Sequence, residues 1–336
     1  MALPTFTGVS LAPPSSTGVS LRPITTTDPD PRNASISIRN YIYFLPYPMP
    51  DGVPVPYTLG LPETNPLNLP PQAFEPTSTL VLTSLNKTFV DVRVFRPFRP
   101  SDPTLPIRGG PRKRLEWAFS GTSYSHVMTD PFAARAGAHG PNGGERVWAG
   151  PVKAARWTHW VDSRIDVMTP AIQIPPDTGV MFPINDVQTL EHGAAPSVNT
   201  RKMQSYEEMW TDLEIEACWP KTTKVNIVMR IEAPELRGVA IRLGRYAQAI
   251  MMQGVYPTVE RWEYTKIVRT DADRDSIMDE GDDQMWMWER TVRIGDEMLP
   301  CPLMWTKEDS LVMGGLVKFG KYEWTVEEKF EWEDVE

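Results

Sequence analysis

Two cysteines, Cys218 and Cys301, are all that 336 residues contain. That is too few for a disulfide framework and points to a reducing compartment. Long apolar runs are missing as well: nothing approaches the roughly 20 residues that a bilayer-spanning helix needs. No membrane is therefore expected as a partner. Histidine is scarce, and all four (His126, His139, His159 and His192) lie in the first half or just past its end. No HxH, HExxH or CxxC spacing occurs, so there is no zinc signature and no metal site is expected. Gly-rich phosphate loops, a dinucleotide fingerprint, kinase signatures and a GxSxG elbow are absent too. The common nucleotide-dependent and hydrolytic chemistries thus have no foothold.

Positive charge is also short. A net charge of -9 argues against generic attraction to nucleic acid or to anionic lipid. The basic "GGPRKRLEW" is brief and lies beside Gly and Pro, which suits a solvated loop. Asn33 in "NAS" and Asn86 in "NKT" fit the glycosylation pattern. The N-terminus has no basic start and no continuous apolar segment, so no secretory signal is expected and both matches read as chance.

Proline and tryptophan are plentiful: 34 and 12 residues, within a 41% apolar composition. The prolines are concentrated in the first half, where they favour extended and turn structure. Residues 1–33 carry a direct repeat, Thr7-Gly8-Val9-Ser10-Leu11 and Thr17-Gly18-Val19-Ser20-Leu21, in a Pro/Ser/Thr background. Such a segment cannot bury enough surface to order itself, so a disordered arm is expected. A second Pro-rich stretch, at about 46–78, reads as a surface loop inserted between two strands.

Period-2 patterns dominate the rest. "TFVDVRVF" sets Val90, Val92 and Val94 against Asp91 and Arg93. "RLEWAFSGTSYS" puts Leu115, Trp117 and Phe119 on one face. "KYEWTVEEKFEW" aligns Tyr322, Trp324, Val326, Phe330 and Trp332 opposite a charged face. Short alternating strands with turn signals between them indicate an all-β barrel or sandwich. The order of segments repeats loosely, each half a run of strands with an Arg/Trp-rich strand late in it. Two units follow, 34–198 and 199–336, with a boundary near the small, polar "GAAPSVNTRKMQS" at 193–205.

"EWAFSGTSYS", "WTHWVDSR", "YEEMW" and "GVAIRLGRYAQAI" occur in this order. Through them the chain resembles the fungal Hri family, whose yeast founder is named as an interactor of a casein kinase I. The resemblance covers about residues 35–255. It implies two tandem antiparallel calycin- or lipocalin-like β-barrels, related to the nitrobindin group. It also implies a cytoplasmic, possibly also nuclear, location and a casein-kinase-like protein partner. It supplies no catalytic motif. A haem on a proximal histidine, as in nitrobindin-like relatives, would be confined to the first barrel. No cofactor is expected.

"ARWTHWVDSR", residues 155–164, is the densest stretch of chemical groups. Strict alternation would put Trp157, His159, Val161 and Ser163 on one face. Arg156, Thr158, Trp160, Asp162 and Arg164 would then lie on the other, outside the barrel or at its rim. The first face suits either a ligand wall or a packed core. Its neighbour "EWAFSGTSYS" offers Trp117, with hydroxyls of Ser120, Thr122 and Tyr124 near a barrel mouth. Gly121 there permits a bulge. Ser163, His159 and Asp162 are too close on one strand for all three to converge as a catalytic triad. "DADRDSIMDEGDD" partly matches a calcium loop but reads as an acidic hairpin tip. In the second unit Trp262, Tyr264, Trp286 and Trp288 form either a core or a stacking pocket closed by Arg245 or Arg290.

The function expected is noncatalytic binding: a small apolar or aromatic ligand in a barrel, a protein partner outside, or both. The alternative is a cofactor-independent isomerase or cyclase of fungal secondary metabolism. In it the cavity would be a shaped active site, with His159, Asp162 or Tyr124 assisting proton transfer. Filled barrels would leave only a scaffold.

Overall fold

The computed structural model describes residues 30–45, 75–129, 148–196, 202–268 and 284–333. Most of the N-terminal arm, the Pro-rich insertion up to residue 74, His139 and the acidic "DADRDSIMDEGDD" lie outside them. The described chain is almost entirely antiparallel β-structure.

The first sheet holds β1 (Ser35–Leu45), β2 (Thr77–Thr83), β3 (Thr88–Phe95), β4 (Leu115–Val127) and β5 (Lys153–Trp157). It continues with β6 (Val161–Asp162), β7 (Asp177–Pro183), β8 (Gln188–Pro196) and β9 (Met203–Leu213). Their order is β3-β2-β1-β9-β8-β7-β5-β4, and β4 pairs back onto β3. The result is a closed, 8-stranded antiparallel barrel with the short β6 as an annex of β4. Closure removes the exposed edges that an open sheet of this size would carry. β9 begins within the polar segment at 193–205 and still closes the first barrel, between β1 and β8. The change of sheet therefore falls between Leu213 and Lys224.

The second sheet is formed by β10 (Lys224–Ala233), β11 (Leu236–Leu243), β12 (Tyr246–Gln253), β13 (Tyr256–Val268), β14 (Gln284–Ile294), β15 (Leu316–Phe319) and β16 (Tyr322–Trp332). Its order is β14-β13-β12-β11-β10-β16-β15. Two-residue turns link β11 to β12 and β12 to β13, with Gly244 and Gly254 at φ of 54° and 57°. Only glycine takes that left-handed backbone without penalty. The sheet curls without a closing ladder among the described residues. Its hollow is filled by the segment carrying the one-turn helix α1 (Leu303–Thr306), with Leu299, Cys301, Met304 and Leu311 buried against Met229, Ala240 and Met251.

The other face of this sheet packs on the outside of the first barrel. Val90, Val92, Val94, Leu80 and Leu82 meet Val239, Ile241, Ile250 and Val259 in one cluster. Each such aliphatic side chain gains roughly 1.5–3 kcal/mol from full burial. Polar pins cross the same junction. Gln248 donates to the carbonyls of Leu80 and Val90, each at 2.9 Å, and Arg261 donates to Val92 O at 2.7 Å. The central strands β10 to β12 are thus covered on both faces, which explains their near-continuous apolar sequence. A register shift in β16 between its pairings with Val228 and Met229 moves its aromatic residues to two faces. Trp324 and Val326 face the filled hollow, whereas Trp332 packs on the inter-sheet cluster. The single aligned face expected for "KYEWTVEEKFEW" is corrected by that bulge.

Candidate functional site

The valine face of "TFVDVRVF" is the outside of the barrel, so Asp91 and Arg93 point inward. Cross-strand pairing carries this inward face around the barrel: Phe119 sits opposite Asp91, Trp117 opposite Arg93, Trp157 opposite Asp177, and Glu191 opposite Glu208. The interior is consequently charged and aromatic. Arg93 is held by Asp91 at 2.8 Å and by Glu208 at 3.6 Å, with its guanidinium over the Trp117 and Phe119 rings. Arg39 pairs with Glu75 at 2.7 Å and with Glu208. A buried charge is tolerated only with such partners.

β5 and β6 are interrupted at Thr158–Trp160. The Thr158 carbonyl lies where a side chain on residue 121 would sit, so Gly121 makes the interruption sterically possible. One extra residue enters the alternation, and everything after it changes face. Val161 packs on the inter-sheet cluster, while Asp162 turns inward opposite Phe119. The outer or rim position expected for Asp162 is thereby corrected: it is buried beside His159.

Asp162 Oδ1 accepts from Trp117 Nε1 and from the Arg164 amide, each at 2.8 Å. Asp162 Oδ2 lies 2.7 Å from His159 Nδ1. With the carboxylate as acceptor, the proton is assigned to Nδ1 and Nε2 keeps its lone pair. The imidazole stacks on Phe119 at 4.6 Å, and Phe119 on Trp117 at 4.2 Å. Arg164 covers the Trp117 ring at 4.1 Å. His159 Nε2 is buried with no hydrogen-bond partner among the described residues, and Asp177 Oδ2 lies 3.8 Å from it. Asp177 is 30% exposed, so the barrel interior reaches solvent beside it. Ser163 is not part of this group: its hydroxyl accepts the Ala118 amide at 2.9 Å.

Glu191 lies deeper. Its carboxyl accepts from Trp210 Nε1 at 3.0 Å and from the Tyr206 hydroxyl at 3.2 Å. Side chains at Gly193 and Gly179 would collide with the Tyr206 ring and the Glu191 carboxyl, so two glycines leave room for this pair. Burial, followed by the neighbouring Glu208 charge, pushes the Glu191 pKa up to about 8. Burial also raises Asp177, although His159 and Arg93 oppose the shift. Among the described residues no cluster of His, Cys, Asp and Glu is arranged to hold a metal ion.

The remaining candidates separate. Trp157 is half-buried on the inner face. Ser120, Thr122 and Tyr124 face outward instead of into the mouth: Ser120 bonds the Phe89 carbonyl, and the Thr122 amide donates to Thr158 Oγ1. Tyr124 is exposed beside an outer depression of about 700 Å³, shared with His126, Arg156 and His192. In the second sheet Trp262, Tyr264, Trp286 and Trp288 do share a face, with Trp305 of α1 stacked on Trp288 at 4.2 Å. Tyr264 and Trp286 stack at 5.6 Å, Arg290 covers Trp262 and Arg245 covers Trp286. These groups satisfy one another. Arg39, Arg93, Glu191, Glu208 and Tyr206 were not among the site residues expected from the sequence. For Arg93 the signal was charges recurring every second residue within an otherwise apolar strand, as in "TFVDVRVF".

The family profile described as Protein HRI1 matches residues 61–328. The chain belongs to this family. A solved structure, described as an uncharacterized protein YLR301w from Saccharomyces cerevisiae, matches with a TM-score of 0.55. The match covers 89% of this chain and 99% of that one at 16% identity, and at this identity it shows the fold alone. No curated protein matches the chain. Among the described residues no helix is long and apolar enough to cross a membrane.

Proposed function

We propose that this HRI1-family chain is a noncatalytic binding protein that holds a small ligand inside its first barrel. The observation that carries this is His159 Nε2, a buried acceptor without a partner among the described residues, oriented by Asp162 and facing Asp177. Groups of this kind are normally satisfied by water or by a ligand. Trp157 supplies a flat apolar wall beside them, and the neighbouring inward-facing residues Ser123, Ser125 and Ala155 are small, with Ser125 exposed. The second sheet, filled by Met304, Trp305 and their neighbours, supports a scaffold role. The test is the fluorescence of N-phenyl-1-naphthylamine, a neutral probe. It should brighten with the wild type and much less with Ser125→Trp, which narrows the exposed mouth; equal brightening would refute the proposal.

The alternative, a cofactor-independent isomerase or cyclase, is favoured by one feature. His159 is oriented as a base, and Glu191 is held protonated near neutrality as an acid. On that reading His159→Gln abolishes turnover of a bound substrate and leaves binding intact. The family resemblance adds a casein-kinase-like partner on the outer surface and a cytoplasmic location, with or without a nuclear one. Co-precipitation with casein kinase I and imaging of a fluorescent fusion test these two points.

A further inference from the structure

The barrel interior holds more acid than base. Arg39 is matched by Glu75 and Arg93 by Asp91, with Glu208 shared between the two arginines. Among the described residues no arginine side chain bonds or pairs directly with Asp162, Asp177 or Glu191, whose partners are His159 and neutral donors. Two buried acceptor atoms in this interior, His159 Nε2 and Asp91 Oδ1, have no hydrogen-bond partner among the described residues. Burial is what chiefly raises the pKa of Glu191 and of Asp177, and the Glu208 charge adds to it in both.

We propose, building on the binding reading above, that the first barrel takes an organic cation: a primary ammonium group on an aromatic body. The ammonium nitrogen sits against His159 Nε2 and Asp177 Oδ2. These atoms are 3.8 Å apart, so one nitrogen at roughly 2.8 Å from each donates to both. An acceptor ligand gains nothing there, because the His159 proton is committed to Asp162. A divalent metal ion is poorly suited, since it takes about six oxygen ligands and two acceptors face this gap. Trp157, directly across the ladder from Asp177, gives the aromatic body a surface and the charge a cation–π contact.

Calorimetric titration of the full chain at pH 7 with a matched trio tests this: 2-phenylethylamine, 2-phenylethanol and phenylacetate. The amine should bind at least tenfold more tightly than the alcohol, with phenylacetate weakest. Asp177→Asn, checked for an unchanged fold by circular dichroism, should erase the advantage. An alcohol or acid that binds as well as the amine, or an amine indifferent to Asp177→Asn, overturns the proposal. If N-phenyl-1-naphthylamine still binds and Ser125→Trp blocks it, only the cation claim falls. If that neutral probe also fails to bind, the binding reading falls with it.

Discussion

His159 Nδ1 lies 2.7 Å from Asp162 Oδ2, and both side chains are sealed from solvent. Because Asp162 Oδ1 already serves Trp117 and the Arg164 amide, Oδ2 is the oxygen left to accept from His159 Nδ1. Asp162→Asn must keep its oxygen toward those two donors, which turns its NH2 toward His159. The proton then moves to Nε2, and 15N NMR of histidine-labelled protein should report the exchanged tautomer. Urea unfolding should show a loss of about 1–3 kcal/mol. An unchanged tautomer would contradict the assignment.

Glu191 makes stability depend on pH. Its folded pKa, raised to about 8, lies above its ordinary carboxylate value, so the folded state holds the proton more tightly than the unfolded one. The resulting stabilisation is complete below the unfolded pKa and is lost as pH rises through the folded value. Between about pH 5 and pH 8 the wild type should therefore lose on the order of 3–4 kcal/mol relative to Glu191→Gln. Paired denaturation curves at the two pH values measure this difference.

Arg261 joins the two sheets. It donates to Ser78 Oγ, Val92 O and Gln248 Oε1, and its burial pulls its pKa down to about 10. Arg261→Met leaves those acceptors unsatisfied and should cost about 2–4 kcal/mol. The apolar junction remains, so unfolding should stay a single transition; two separated transitions would show that the polar pins alone hold the halves together.

The strands were legible because alternation survives in single sequences: Val90, Val92 and Val94 do share a face, as do Trp117 and Phe119. Which face looks inward was not legible. Valines normally mark a core, and here they mark the junction with the second sheet, a long-range contact that no local pattern encodes. Gly121 did signal a bulge, but its consequence for Asp162 depends on where the Thr158 carbonyl comes to rest. The tryptophans of β13 and β14 were correctly grouped, whereas Trp305, which covers them, arrives from a four-residue helix with no periodic signal.

The most direct test of the occupied barrel is native mass spectrometry of the full chain, purified without denaturation. The wild type should carry a small molecule that is released on unfolding, and Asp177→Asn should carry much less of it. A wild type with no excess mass, or the same excess in both proteins, would contradict a ligand held between His159 and Asp177.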